Sequence, residues 1–83
     1  MAHAKEQRLT NEAQAVELIR QRRKAKKLSQ QQLASKLGVT QARLSEIESG
    51  RAHLSVARLI AIATLLGLEL ILREVPPKQT AEW

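Results

Sequence analysis

The chain of 83 residues contains no cysteine, one aromatic residue, three glycines and two prolines. The absence of cysteine excludes disulfides and thiolate metal sites, and it fits a reducing compartment, so we expect a cytoplasmic location. Without such cross-links, a single core of this size supplies only a few kcal/mol of net stability. Association with another chain is therefore a natural source of additional burial.

Long apolar runs are also missing. The longest, Leu65 to Leu72, is interrupted by a glycine and a glutamate and is far too short to span a bilayer. Met1 to Thr10 has no apolar segment of the kind found in secretory signals. The only histidines, His3 and His53, lack partners at metal-ligand spacing, and no phosphate loop or nucleophile motif occurs. We therefore expect no enzyme activity, no cofactor, no bound metal and no membrane association.

Positive charge is in excess, with 14 Lys and Arg against 8 Asp and Glu and a net charge of +6. This excess favours a polyanionic partner, either nucleic acid or an acidic membrane surface. A basic cluster contributes much of it: Arg20, Arg22, Arg23, Lys24, Lys26 and Lys27. Two interpretations of this cluster remain open, since it either flanks the phosphates of a duplex or solvates the end of a helix.

Capping residues and apolar periodicity predict four helices, over 12–26, 30–37, 41–49 and 56–66. Each follows a residue that favours the N-cap position, namely Thr10 or Asn11, then Ser29, Thr40 and Ser55. Residues 1–9 are polar and expected to be flexible, and 10–67 are predicted to form one domain. The predicted buried stripe of the fourth helix consists of Val56, Leu59, Ile60, Ala63 and Leu66.

The hydrophobic period changes after the fourth helix. Alternation over 68–75 predicts a strand that Pro76-Pro77 ends, followed by a tail over 76–83. The alternative is a fifth helix ending at Glu74. Since nothing else in the chain is typical of a strand, we expect the same strand of a second copy to pair with it across a two-fold axis. The predicted fold is therefore all-α with a C-terminal strand, dimeric through an intermolecular two-stranded sheet that buries Leu70, Ile71 and Leu72.

The segment from Gln30 to Ser49 has the pattern of a helix-turn-helix motif. Two short helices are separated by a turn at Gly38-Val39, where glycine permits the positive φ of a tight turn. Ala34 is small at the point where the helices would cross. The alternative is an ordinary helical hairpin with the same core.

The stretch from Ile19 to Leu68 resembles the helix-turn-helix domain of phage repressors, the Cro/C1 or XRE family. The resemblance is carried by Ile19-Arg20, Arg23, Leu28-Ser29-Gln30, Leu33-Ala34, Leu37-Gly38-Val39, Leu44-Ser45, Ile47-Glu48, Gly50 and Leu59 to Gly67. Lys27 departs from the pattern, because the family often has glycine there. A lysine can still adopt the turn.

The resemblance implies that the third helix lies in the major groove and contacts base edges with its first turn. The residues facing outward there are Thr40, Gln41, Ala42 and Ser45. Gln41 suits adenine and Ala42 a thymine methyl, whereas Arg43 reaches guanine or a phosphate. For each of these residues the alternative is an ordinary solvated surface.

Other residues are expected either to contact the DNA backbone or to stabilise the fold. Gln30, at the start of the second helix, suits a phosphate. Arg51 and His53 match family positions that contact the DNA backbone. Arg23 and Glu48 match positions that the family pairs as an ion pair within the domain, and an arginine fork suits a carboxylate.

The C-terminal residues resemble a narrower group, the HipB-type antitoxins. Leu68-Glu69-Leu70 enters the predicted strand and Ala81-Glu82-Trp83 closes the chain, as in that group. The resemblance implies a dimeric antitoxin that binds a palindromic operator in double-stranded DNA, represses its own operon and binds a HipA-type kinase toxin. Trp83 is the expected toxin-binding residue, the alternative being a terminus that touches nothing.

Two other hypotheses for the function of the chain are a phage-like or metabolic repressor without a toxin, and a protein-interaction adaptor.

Overall fold

The computed structural model describes residues 6–77. Within this range the chain forms four helices: α1 (Glu12–Ala25), α2 (Gln30–Leu37), α3 (Gln41–Glu48) and α4 (Val56–Leu65). All four predicted helices are present, and each ends at the predicted residue or one residue before it. None of the helices in this range reaches the length and hydrophobicity that crossing a membrane requires.

Every helix begins at a side chain that caps it. Asn11, Ser29, Thr40 and Ser55 each accept a hydrogen bond from the backbone N–H three residues further on. Ser29 also belongs to a capping box, since the side chain of Gln32 accepts from the Ser29 N–H at 2.8 Å. These bonds satisfy backbone donors that the first turn of a helix leaves without partners, and they fix where each helix starts.

Four residues among 6–77 have a positive φ, namely Lys27, Gly38, Gly50 and Gly67, and two of them lie in the turns on either side of α2. Gly38 ends α2 with φ +81°, and the N–H groups of Gly38 and Val39 both donate to the Ala34 carbonyl, at 2.9 and 3.0 Å. This tight turn connects α2 to α3. The turn from α1 to α2 uses Lys27, at φ +59°, which is the only residue other than glycine with a positive φ in the range 6–77.

One apolar core joins the helices. Its central cluster consists of Ile19 of α1, Leu33 and Ala34 of α2, Leu44 of α3, and Ile62 and Leu66 at α4, and Ile47 of α3 is also buried. The predicted stripe of α4 was partly wrong, because Val56 is 67% exposed and Ile60 is 47% exposed. The helix instead turns the positions of Leu59, Ile62, Ala63 and Leu66 towards the core, a set at the same 3.6-residue spacing rotated around the axis.

The predicted strand over 68–75 is not formed in the single chain. Residues 68–76 are neither strand nor helix, so the alternative of a fifth helix is also wrong. The physical reason is the absence of a pairing partner, since no other segment among residues 6–77 is a strand and an unpaired segment has no ladder to join. Leu68 packs against the core, but the apolar side chains after it face solvent, with Leu70 44%, Ile71 60% and Leu72 98% exposed.

Candidate nucleic-acid interface

Helix α3 has one buried face and one open face. Leu44 and Ile47 are buried in the core. Gln41 and Ala42, in the first turn, are exposed to solvent. Among the residues that the structure describes, the first turn of α3 is therefore accessible to solvent.

Two other predicted contacts of α3 have partners within the helix. The Thr40 hydroxyl oxygen accepts from the Arg43 N–H at 3.0 Å, so it caps α3 and keeps its O–H donor and a second acceptor lone pair. The Arg43 guanidinium contacts the Glu46 carboxylate at 3.3 Å, and both side chains are about half exposed, at 56% and 48%. Arg43 is therefore held along the helix surface by a weak ion pair. A phosphate or a base can take the place of the Glu46 carboxylate.

A polar groove lies between α1, α2 and α3. It is lined by Arg20, Arg23, Lys24, Gln30, Ser45, Glu48 and Ser49. Arg20 and Lys24 are exposed and bring two positive charges to it. The groove thus places cationic side chains of α1 beside the start of α2.

The inner wall of this groove is a buried hydrogen-bond network. Arg23 donates from Nε to Glu48 Oε2 at 2.7 Å and from Nη2 to Glu48 Oε1 at 3.0 Å. The third nitrogen of the guanidinium, Nη1, donates to the Leu28 carbonyl at 2.8 Å. Gln30 Nε2 donates to Glu48 Oε1 at 3.0 Å. The network joins α1, the α1–α2 turn, α2 and α3.

The loop between α3 and α4 contains the other two residues that were predicted to contact the DNA backbone. Arg51 and His53 are both exposed, and Arg51 Nε donates to Ser49 Oγ at 3.1 Å. Glu12, the first residue of α1, accepts from the Leu54 N–H at 2.9 Å and has its second oxygen 3.8 Å from His53 Nδ1. A carboxylate of α1 therefore holds this loop, and His53 has an acidic neighbour.

The basic cluster is divided between two surfaces. Arg20 and Lys24 line the groove, whereas Arg22 Nε donates to the Leu66 carbonyl at 3.1 Å. Lys26 lies beside the same end of α4, next to Gly67. Arg22 and Lys26 thus stabilise the negative end of a helix. Contact of Arg20 and Lys24 with DNA phosphates stays a prediction.

Comparison with known proteins identifies the domain. Residues 19–72, more than half of the chain, match the family model HTH_3, described as helix-turn-helix. The chain belongs to this helix-turn-helix family. Its domain is of the Cro/C1 type, as the residues from Ile19 to Leu68 predicted, and α2, the turn at Gly38 and α3 form the motif.

Two curated relatives are helix-turn-helix or phage control proteins. The chain is 37% identical over 54 residues to an uncharacterised HTH-type transcriptional regulator, y4dL, of Sinorhizobium fredii (strain NBRC 101917 / NGR234). That match covers 65% of this chain and spans 28% of the regulator's length. The chain is also 38% identical over 65 residues to the ImmF control region 10 kDa protein of Bacillus phage phi105, covering 78% of this chain and 72% of that protein.

Most of the predicted DNA-contacting residues lie on or next to the helix-turn-helix motif. Gln41, Ala42 and Arg43 lie on the open face of α3, and Gln30 lies at the edge of the groove. Their contact with DNA stays a prediction. The predicted toxin-binding residue Trp83 lies outside the described residues.

Three contacts were not foreseen from the sequence: Gln30 with Glu48, Glu12 with Leu54, and Arg22 with Leu66. The last two join residues 42 and 44 positions apart. In these last two contacts a charged side chain forms a hydrogen bond with a backbone group, and every residue has backbone groups. No residue type in the sequence therefore signals such a partner.

Proposed function

We propose that the chain is a sequence-specific DNA-binding transcription repressor that inserts α3 into the major groove. The observation that carries the proposal is the open first turn of α3, with Gln41 and Ala42 exposed on a helix that buries Leu44 and Ile47 in the core. A glutamine side chain makes paired hydrogen bonds with adenine, and an alanine methyl packs on thymine. Membership of the helix-turn-helix family supports this docking geometry.

Residues that we expect to contact phosphates surround the proposed base-contacting residues. Arg20 and Lys24 bring charge to the groove beside α2, and Gln30 adds a neutral donor at its edge. Arg51 and His53 lie on the loop that follows α3. Such contacts supply affinity and set the register, while the first turn of α3 supplies specificity.

We propose a homodimer as the DNA-binding form. The support is the row of exposed apolar side chains over 70–75, which Leu72, at 98% exposed, illustrates best. Pairing two copies of this segment across a two-fold axis would give each one a neighbour and remove these side chains from water. A dimer also presents two recognition helices, so its operator would be a palindrome with half-sites about 34 Å apart.

The phage phi105 relative supports a regulatory role, since its name places it in a phage control region. Selection of bound duplexes from a random library tests the proposal. We expect an enriched palindrome whose affinity falls steeply with salt. Recovery of random sequences after several rounds would contradict it.

A second candidate is the antitoxin function, in which the repressor also binds a HipA-type kinase toxin. The support is the sequence Ala81-Glu82-Trp83, whose single aromatic side chain suits a pocket on a partner. Truncation after Thr80 is then expected to weaken toxin binding by about 2–4 kcal/mol, as loss of an interface hot spot does, and to leave DNA affinity unchanged. Isothermal titration of the kinase with both chains measures this difference, and equal affinities would remove Trp83 from the interface.

A further inference from the structure

We propose that Glu48 is a positioning residue for Gln30, the residue that begins α2 at the edge of the groove. This inference rests on the proposed DNA-binding function. Glu48 accepts one N–H of the Gln30 amide at 3.0 Å, and the amide keeps a second N–H. We infer that this second N–H donates to a DNA phosphate and that Glu48 fixes the amide in the orientation required.

Glu48 is suited to this role because it is itself immobile. Its side chain is 2% exposed, and its two oxygens accept two hydrogen bonds from Arg23 in addition to the one from Gln30. Arg23 is held in turn by the Leu28 carbonyl at 2.8 Å. The position of the Gln30 amide is thus set by a chain of contacts that begins in α1 and ends in α3.

The charge balance of the network permits an anion nearby. An unpaired carboxylate this close to Gln30 would repel a phosphate, but the Arg23 guanidinium neutralises it through two hydrogen bonds. A free glutamine side chain loses considerable rotamer freedom when it is immobilised on binding. Gln30 has already lost that freedom in the unbound protein, so its phosphate contact forms at a smaller entropic cost.

The test is a double-mutant cycle on DNA affinity with Gln30→Ala and Glu48→Gln, using a duplex of roughly 30 base pairs enriched by the wild-type chain from a random library. Glu48→Gln leaves a neutral amide with one oxygen for the three donors that Glu48 accepts from, and it removes the charge that strengthens the hydrogen bond from Gln30. We expect Gln30→Ala to weaken binding by about tenfold in the wild-type chain, the worth of one hydrogen bond to a charged group. In the Glu48→Gln background the same substitution should cost less than about twofold.

A purely structural role of Glu48 predicts a different result. Gln30→Ala would then cost the same factor in both backgrounds, which would overturn the proposal, as would the absence of any effect in the wild-type chain. The control is Gln31→Ala, an exposed neighbouring glutamine that should have the same effect in both backgrounds. If the wild-type chain enriches no duplex at all, the proposed function itself fails.

A second measurement avoids any variant of Glu48. In the NMR spectrum of the wild-type chain without DNA, the Gln30 side-chain amide should show one downfield-shifted proton, slow exchange with water and a high order parameter. Gln31 supplies the internal reference for a mobile amide. A Gln30 amide with the averaged shifts and mobility of Gln31 would overturn the proposal.

Discussion

Arg23 and Glu48 form a buried pair with two hydrogen bonds of 2.7 and 3.0 Å, and their side chains are 9% and 2% exposed. Arg43 and Glu46 form the same kind of pair at 3.3 Å on the surface of α3, with both side chains about half exposed. The two pairs share their chemistry and differ in environment. The molecule therefore contains its own control for the effect of burial on an ion pair.

Glu48→Ala is expected to destabilise the protein by about 3–5 kcal/mol, because Arg23 would remain buried without its partner. Urea denaturation followed by circular dichroism measures the change in the free energy of unfolding. The matched control is Glu46→Ala, which removes an exposed partner and should cost less than about 1 kcal/mol. Equal losses for the two variants would show that burial of the Arg23 pair contributes nothing beyond a surface pair.

Lys27→Gly is expected to stabilise the protein by about 1 kcal/mol, since Lys27 adopts a left-handed conformation that costs a side-chain-bearing residue about that much. The comparison is Lys36→Gly in the last turn of α2, which should destabilise by about 1 kcal/mol because glycine lowers helix propensity. Thermal denaturation of both variants gives the sign of each change. A lower melting temperature for Lys27→Gly would contradict the account of this turn.

Lys27 also illustrates how much of the fold the sequence predicts. The positions of the capping residues and glycines determine the four helices because capping is local chemistry, within reach of three or four residues. The place where Lys27 departs from the family pattern is the one turn that needs a left-handed residue without glycine. Local rules thus predicted the start of every helix and its end to within one residue.

Tertiary relationships were predicted less well. Val56 and Ile60 were placed on the buried stripe of α4, yet they are exposed while Ile62 is fully buried. In a short helix rich in apolar residues, two stripes at the same spacing compete, and only the packing partners decide between them. The strand over 68–75 failed for a related reason, because alternation predicts a strand only where a neighbour exists to pair with it.

Leu72→Lys is expected to convert the proposed dimer into a monomer. Leu72 is 98% exposed in the single chain, so the substitution should leave the stability of the monomer unchanged and act on association alone. Burial of the new charge in the paired segment would be costly. Sedimentation equilibrium at micromolar concentration measures the change.

The control for this prediction is Val56→Lys, which places a charge at an exposed apolar position of α4 outside 68–75. This variant should remain dimeric. If Val56→Lys dissociates and Leu72→Lys does not, the two copies associate through α4 rather than through the C-terminal segment.

The central claim is that the first turn of α3 contacts bases, and the most direct test is the affinity of Gln41→Ala for a panel of duplexes. The panel carries every base pair in turn at each half-site position of the enriched palindrome, and fluorescence anisotropy gives the dissociation constants. We expect a loss of about 1–3 kcal/mol and relaxed preference at one position of each half-site. Arg51→Ala is the comparison, with an even loss on all duplexes and a salt slope lower by about 1. If Gln41→Ala also weakens all duplexes evenly, or if the wild-type chain binds the palindrome and a scrambled duplex equally, the claim is wrong.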